Sequence, residues 1–161
     1  MNLSAFDLKG KVALITGGAH GIGFSIAVGM AQCGATVCFN CSNEGSLEKG
    51  IAAYKEAGVE AHGYVADVTD EAAVNAMVAK IKEEVGPVDI LVNNAGLMKR
   101  VPMIEMSHTD FLRVIDVHVG RIITHGSRIK NNPPNVNIVG HSTSPTPRSP
   151  PSRFSSRMLS R

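Results

Sequence analysis

Thr16-Gly17-Gly18-Ala19-His20-Gly21-Ile22-Gly23 follows the apolar run Val12-Ala13-Leu14-Ile15 and opens the run over residues 24–33. Strand, glycine turn, helix is the order that presents free backbone N–H groups and a positive helix end to a phosphate. Gly17 permits a tight turn, Gly21 lets the backbone approach a pyrophosphate, and Gly23 lets the helix lie close to the strand. The spacing is Gly-x-x-x-Gly-x-Gly rather than Gly-x-Gly-x-x-Gly, and a glycine-rich turn alone also fits a ligand-free βα turn. The rest of the chain decides between the two.

Outward from the turn, the hydrophobic periodicity alternates in type. Residues 11–16 read as a short buried strand. Residues 22–33 read as a helix with Ile22, Ile26, Met30 and Cys33 along one side, stopped by Gly34. Residues 36–40 form a second β-prone run. Residues 46–57 read as a helix carrying Leu47, Ile51 and Tyr54, with Gly58 as its C-cap. Residues 59–65 are a third strand, interrupted by Gly63. Thr69 is placed to cap a helix with Asp70 and Glu71 in its first turn. Val74, Met77, Val78, Ile81 and Val85 then fall at helical spacing, Gly86-Pro87 ends the helix, and residues 88–92 make a fourth strand. Ser107 and Asp110 resemble a capping box ahead of Phe111, Leu112 and Ile115. Such a βα series argues for an α/β fold, a parallel sheet joined by right-handed crossovers and covered by helices.

Composition divides the chain near residue 116. Residues 1–116 carry nine basic and all fourteen acidic residues, a net charge of −5; residues 117–161 carry seven basic and no acidic residues, +7. Asn131-Asn132-Pro133-Pro134 breaks structure, and residues 142–161 are rich in Ser, Pro and Arg. Such a composition buries too little surface to offset its ordering entropy, so residues from about 141 onward are expected to be disordered. The expected organisation is an N-terminal half domain over 1–117 and a divergent tail over 118–161. Seven spread charges without aromatic partners do not make a nucleic-acid site. No apolar run reaches the ~20 residues of a membrane span, and no signal peptide is evident, so a cytoplasmic protein without membrane partners is expected. Cys33, Cys38 and Cys41 are an odd set with no further ligands at metal spacing, and read as reduced structural thiols; no metal site is expected.

Two further features fall where a dinucleotide needs them. Asp67-Val68 follows the third strand, where a carboxylate suits an adenine amino group, or else caps a helix. Asn93-Asn94-Ala95-Gly96 follows the fourth, beside the point where strand order reverses. Small residues there let the chain pass close to a ribose, and an Asn side chain can tie neighbouring strands together.

Together, Thr16-Gly17-x-x-x-Gly21-Ile22-Gly23, Asp67-Val68 and Asn93-Asn94-Ala95-Gly96 resemble the cofactor half of the short-chain dehydrogenase/reductase family, over about residues 5–117. Residues 6–11, 52–58, 61–64 and 99–107 resemble its gluconate 5-dehydrogenase subfamily. The resemblance implies an incomplete, doubly wound, Rossmann-like sheet and an NAD(P)-dependent oxidoreductase acting on gluconate, 5-ketogluconate or a related sugar acid or polyol. It also implies cofactor contacts at Thr16, Gly17, His20, Gly21, Ile22, Gly23, Asn40, Asp67, Val68, Asn94, Ala95 and Gly96. Asn40-Cys41-Ser42 ends the second strand without the carboxylate that an NAD enzyme usually places there, and His20 stands where NADP-dependent relatives carry a cation. NADP(H) is therefore expected over NAD(H).

The family's reaction uses a Ser and a Tyr-x-x-x-Lys, the lysine lowering the phenol from a pKa of ~10 so that it can act near neutrality. Tyr54 and Tyr64 are the only tyrosines, and neither has Lys at the fourth position. His118 stands at about the place of the family's helix-four Asn, but the residues after it no longer match. Residues 120–127 and 135–142 mimic the fifth strand, read here as chance Val/Ile runs, so neither Ser127 nor Ser142 is assigned. No catalytic residue is assigned, and the 161 residues are expected to be inactive. The alternative is a non-catalytic nucleotide-binding fragment, or a truncated or mis-spliced product departing from the family after Asp116. With only four strands expected, residues 88–92 would present an open edge and the helices uncovered apolar faces. That predicts an aggregation-prone product whose family oligomer interface is largely absent.

Overall fold

The computed structural model describes residues 6–97, 101–120 and 137–139. Four parallel strands, β1 (Val12–Ile15), β2 (Thr36–Cys41), β3 (Ala61–Val65) and β4 (Ile90–Val92), are joined by three helices, α1 (Gly21–Gln32), α2 (Glu44–Glu56) and α3 (Glu71–Glu84). Helix α4 (His108–Ile115) runs into a π-helical turn, Asp116–Gly120, and a short β5 (Asn137–Val139) comes after it. Strand order is β3-β2-β1-β4-β5 with every pairing parallel, the doubly wound arrangement that reverses between β1 and β4.

β1 lies at the centre, and all four of its residues are buried because helices cover both faces of the sheet. Alternation along the strands sorts their side chains. Leu14, Cys38 and Leu91 pack with Val74, Met77 and Ile81 of α3. Ala13, Ile15, Val37, Phe39, Ile90 and Val92 pack with Ala27 of α1 and Tyr54 of α2. Asp89 locks the entry to the sheet, its carboxylate accepting from Val12 N at 3.0 Å and pairing with Lys11 Nζ at 3.3 Å.

Several expectations change. The buried stripe of α1 is Gly23 and Ala27, while Ile22 is 74% exposed and Ile26 is also exposed. Small residues face the sheet because the helix starts so close to β1, which turns the larger Ile22 outward. The cap of α3 is Asp70, whose carboxylate accepts from Ala72 N and Ala73 N at 2.8 and 3.1 Å. Thr69 is held instead by Asp67 Oδ1, which accepts from both its N–H and its hydroxyl at 2.7 Å. Helix α2 starts earlier than residue 46, because the Asn43 side chain accepts from Ser46 N. Gly63 does not weaken β3: a Cβ there would collide with Leu47 Cδ1 and lie 2.7 Å from Phe39 Cζ, so glycine is what the packing admits. The Ser107 cap forms as expected, accepting from Asp110 N at 3.1 Å and donating to its carboxylate at 2.7 Å.

The largest correction concerns residues 137–139. They are not a chance Val/Ile run but a strand, pairing Ile90 with Asn137, Leu91 with Ile138 and Val92 with Val139. The backbone groups along β4 that were expected to stay open meet a partner strand instead. On α4, Phe111, Leu112 and Ile115 are exposed among the described residues, as expected. The tail from about residue 141, the run 120–127 beyond Gly120, Ser127 and Ser142 lie outside the described residues.

Candidate functional site

A cleft of about 660 Å³ opens at the carboxyl ends of β1, β2 and β4, where the strand order reverses. Its floor is the glycine turn, through Gly17, Ala19, His20, Gly21 and Ile22. One wall is Asn40, Cys41, Ser42 and Ser46 with Ala66, Asp67, Val68 and Thr69. The other is Asn94, Ala95, Gly96 and Leu97 with Arg113, Val117 and His118 from α4 and the π turn.

The turn is bound from inside. Thr16, 2% exposed, donates its hydroxyl to Val92 O at 3.3 Å and accepts from Asn94 N and Ala95 N at 3.1 and 3.0 Å. Asn94 Nδ2 donates to Thr16 O at 3.0 Å and to Gly17 O at 3.1 Å, so the amide ties the ends of β1 and β4 together. Gly17 (φ +64°) cannot carry a Cβ, which would lie 2.9 Å from Ala95 Cα. Gly23 is equally restricted, since a Cβ there would overlap Asn94 Nδ2 and lie 2.6 Å from Gly17 O. Gly21 (φ +60°) has open space where a Cβ would stand.

Helix α1 begins without a partner for its positive end. Its N-cap, His20, makes no side-chain cap bond, and its first turn holds no acidic residue. By contrast α2, α3 and α4 are capped by Asn43, Asp70 and Ser107 and carry Glu44, Glu71 and Asp110 in their first turns. The first amides of a helix have no intrahelical acceptor, so the start of α1 presents free donors and a positive end, an arrangement that suits an anion. That fits the phosphates of a dinucleotide.

Every residue expected at a cofactor lines this cleft except Thr16 and Gly23, which support it from behind. Asn40 turns its side chain inward. It is 1% exposed; Nδ2 donates to Ala66 O at 2.8 Å and Cys41 O at 3.2 Å, and Oδ1 accepts from Gly17 N at 3.4 Å. Its side chain is committed to the turn and the end of β3, leaving Cys41 and the exposed Ser42 beside the cleft. Arg113, Val117 and Ser46 were missed, because the sequence shows helices but not which helix start or turn leans over the sheet edge. His118 does reach the cleft: Nε2 lies 3.3 Å from Leu97 N and 3.1 Å from Leu97 O, and a Cβ on Gly96 would lie 2.7 Å from its ring.

Neither tyrosine is placed for proton transfer. Tyr54 donates to Gly18 O at 2.8 Å and Tyr64 to Glu84 Oε2 at 3.0 Å. Burial raises both phenols above their ordinary value, Tyr64 further through its bond to Glu84. A catalytic phenol needs the opposite shift. Among the described residues no group of three His, Cys, Asp or Glu side chains could hold a metal ion, and no helix is long and apolar enough to cross a membrane.

Comparison with known proteins agrees with this geometry. The chain is 46% identical over 118 residues to a 2-dehydro-3-deoxy-D-gluconate 5-dehydrogenase from Formosa agariphila, covering 73% of this chain and 45% of that one. Among solved structures it resembles 2-keto-3-deoxy-D-gluconate dehydrogenase from Streptococcus agalactiae (54% identity, TM-score 0.69, 77% of this chain and 47% of that one). It also resembles a gluconate 5-dehydrogenase from Burkholderia cenocepacia J2315 in complex with NADP and tartrate (32% identity, TM-score 0.70, 80% and 51%). The chain thus spans about half the length of the curated relatives it matches. The family model for short chain dehydrogenases matches residues 11–128. With its parallel sheet, its glycine turn and its Asn94 tie, the chain belongs to the short-chain dehydrogenase family.

Proposed function

We propose that the cleft binds a nicotinamide dinucleotide and that these residues are the cofactor half of an oxidoreductase acting on a sugar acid. The observation that carries this reading is the uncapped start of α1 at the β1/β4 reversal, the one described α-helix without a side-chain cap or an acidic first turn. Phosphate oxygens would meet the amides of the turn and of the first turn of α1. Asp67 and Val68 border the adenine end, and Asn94, Ala95 and Gly96 the ribose on the nicotinamide side. The bound nicotinamide supplies or accepts a hydride. NADP(H) is preferred over NAD(H), since Cys41 and Ser42 place no carboxylate against a 2′-phosphate and His20 is a donor lining the same cleft. The relatives named for gluconate or 2-dehydro-3-deoxy-D-gluconate suggest a six-carbon sugar acid, handled at carbon 5.

The 161 residues contain no Tyr-x-x-x-Lys, and both tyrosines are committed elsewhere. That favours a second reading for the chain taken alone, a nucleotide-binding piece without turnover. Fluorescence titration with NADPH and NADH tests the binding reading, with tighter NADPH binding expected; tighter NADH binding would sink the cofactor preference. Gluconate with NADP⁺ should give no turnover from these residues, and measurable NADPH production would refute that expectation.

A further inference from the structure

The first three carbonyls of the glycine turn are each held by a side-chain donor. Asn94 Nδ2 takes Thr16 O and Gly17 O, and the third, Gly18 O, accepts from the Tyr54 hydroxyl at 2.8 Å. Tyr54 reaches the turn from α2, 36 residues further along the chain, and is 1% exposed. Its ring is wedged between Phe24 of α1 and Phe39 of β2, with centroids 4.8 Å away on each side. A hydroxyl on a ring so confined has one place to point. Burial keeps the phenol protonated, so it stays a donor at any working pH.

A trans peptide is planar, with its C=O and N–H pointing in opposite directions. The two preceding peptides behave accordingly. With Thr16 O and Gly17 O drawn toward Asn94, Gly17 N–H points to Asn40 Oδ1 at 3.4 Å and Gly18 N–H to Asn40 O at 3.0 Å. By the same geometry, drawing Gly18 O toward Tyr54 turns Ala19 N–H away from α2. Among the described residues Ala19 N–H makes no hydrogen bond, and Ala19 lines the cleft. Gly18 is packed against β2, where a Cβ on it would lie 2.8 Å from Phe39 Cβ.

We propose that Tyr54 is a positioning residue for anion recognition: its hydroxyl, through Gly18 O, holds the Gly18–Ala19 peptide so that Ala19 N–H faces the phosphates. The inference rests on the dinucleotide reading, which it deepens by assigning the aim of one donor to a side chain outside the glycine motif. Neither Tyr54 nor its ring contacts belongs to the cleft lining.

Tyr54→Phe keeps both ring contacts and removes only the hydroxyl. NADP⁺, NAD⁺ and adenosine are titrated calorimetrically into the full 161-residue chain and the variant, and amide exchange is followed without ligand. The variant should bind NADP⁺ and NAD⁺ about three- to tenfold more weakly, the factor expected for one buried hydrogen bond. Adenosine, which carries no phosphate, should change by less than about twofold. Exchange should accelerate at the hydrogen-bonded amides of Gly17 and Gly18 and not across the sheet. Unchanged dinucleotide affinity with unchanged exchange overturns the proposal, and so does an equal loss for adenosine with uniformly faster exchange, the signature of general loosening. If the unmodified chain binds neither dinucleotide, the dinucleotide reading fails by itself. The exchange comparison still decides whether Tyr54 fixes the turn.

Discussion

Two glycines of α1 should respond to alanine with opposite signs. In an exposed helical position Gly→Ala removes an entropic penalty and stabilises by about 0.8–1 kcal/mol. Gly29 is such a position, exposed and with nothing within 4 Å of a built Cβ. Gly23 has the same propensity to gain, but its Cβ would overlap Asn94 Nδ2 and lie 2.6 Å from Gly17 O. Relief requires either moving α1 off β1 or displacing the Asn94 amide from Thr16 O and Gly17 O. Two buried hydrogen bonds at about 1 kcal/mol each, or overpacking at about 1–3 kcal/mol, outweigh the propensity gain. A net loss of about 1–2 kcal/mol is expected for Gly23→Ala, and the two variants should differ by about 2–3 kcal/mol. At about 2–4 °C per kcal/mol for a domain of this size, their Tm values should lie about 4–12 °C apart, Gly29→Ala the higher. Thermal and urea melts followed by far-UV circular dichroism, at matched concentration, measure this. Equal stability within about 0.5 kcal/mol would refute the claim that the Asn94 tie sits against Gly23.

Asn40→Asp should destabilise by roughly 2–3 kcal/mol, because a carboxylate would face Ala66 O and Cys41 O where Nδ2 now donates. It should not convert the site to NADH; a stable variant with inverted preference in parallel melts and titrations would show that the side chain faces the ligand after all. Cys38 is pushed from 9.0 up to about 12, first by burial and then by Glu84, so it should resist thiol reagents at pH 8 while Cys33, the most exposed of the three, reacts. The unfolded thiol loses its proton near pH 9 while the folded one keeps it, so this contribution to stability is complete below about pH 9 and is lost between about 9 and 12. Denaturant midpoints that hold constant or rise from pH 8.5 to 10.5 in wild type, against a Cys38→Ala control, would contradict that sign.

Much of the alternation was legible because it is written in short-range chemistry. Burial of β1 on both faces needs an uninterrupted Val-Ala-Leu-Ile run, and α3 needs Val74, Met77 and Ile81 on one stripe. What the periodicity misjudged were contacts with partners elsewhere in the chain. Ile22 and Ile26 look like a core stripe, yet Gly23 and Ala27 face the sheet, because the closeness of α1 to β1 is set by Asn94 some seventy residues later. Asn137–Val139 looks like an accident until β4 presents an unpaired edge to it.

The sequence by itself determined the parallel α/β architecture, the place of the glycine turn and the lack of a Tyr-x-x-x-Lys within these residues, since each depends on residue type and spacing along one stretch. Only the tertiary structure decided which side chains hold that turn. The stretch after β4 lets an Asn such as Asn94 tie neighbouring strands, but Asn40 of β2 and Tyr54 of α2 carry no such signal, and no spacing marks which group of Thr16, Gly17 and Gly18 each one meets. The reason is that a buried carbonyl or amide must find a hydrogen-bond partner wherever the fold brings one within reach. That requirement is satisfied in space and leaves no period in the chain.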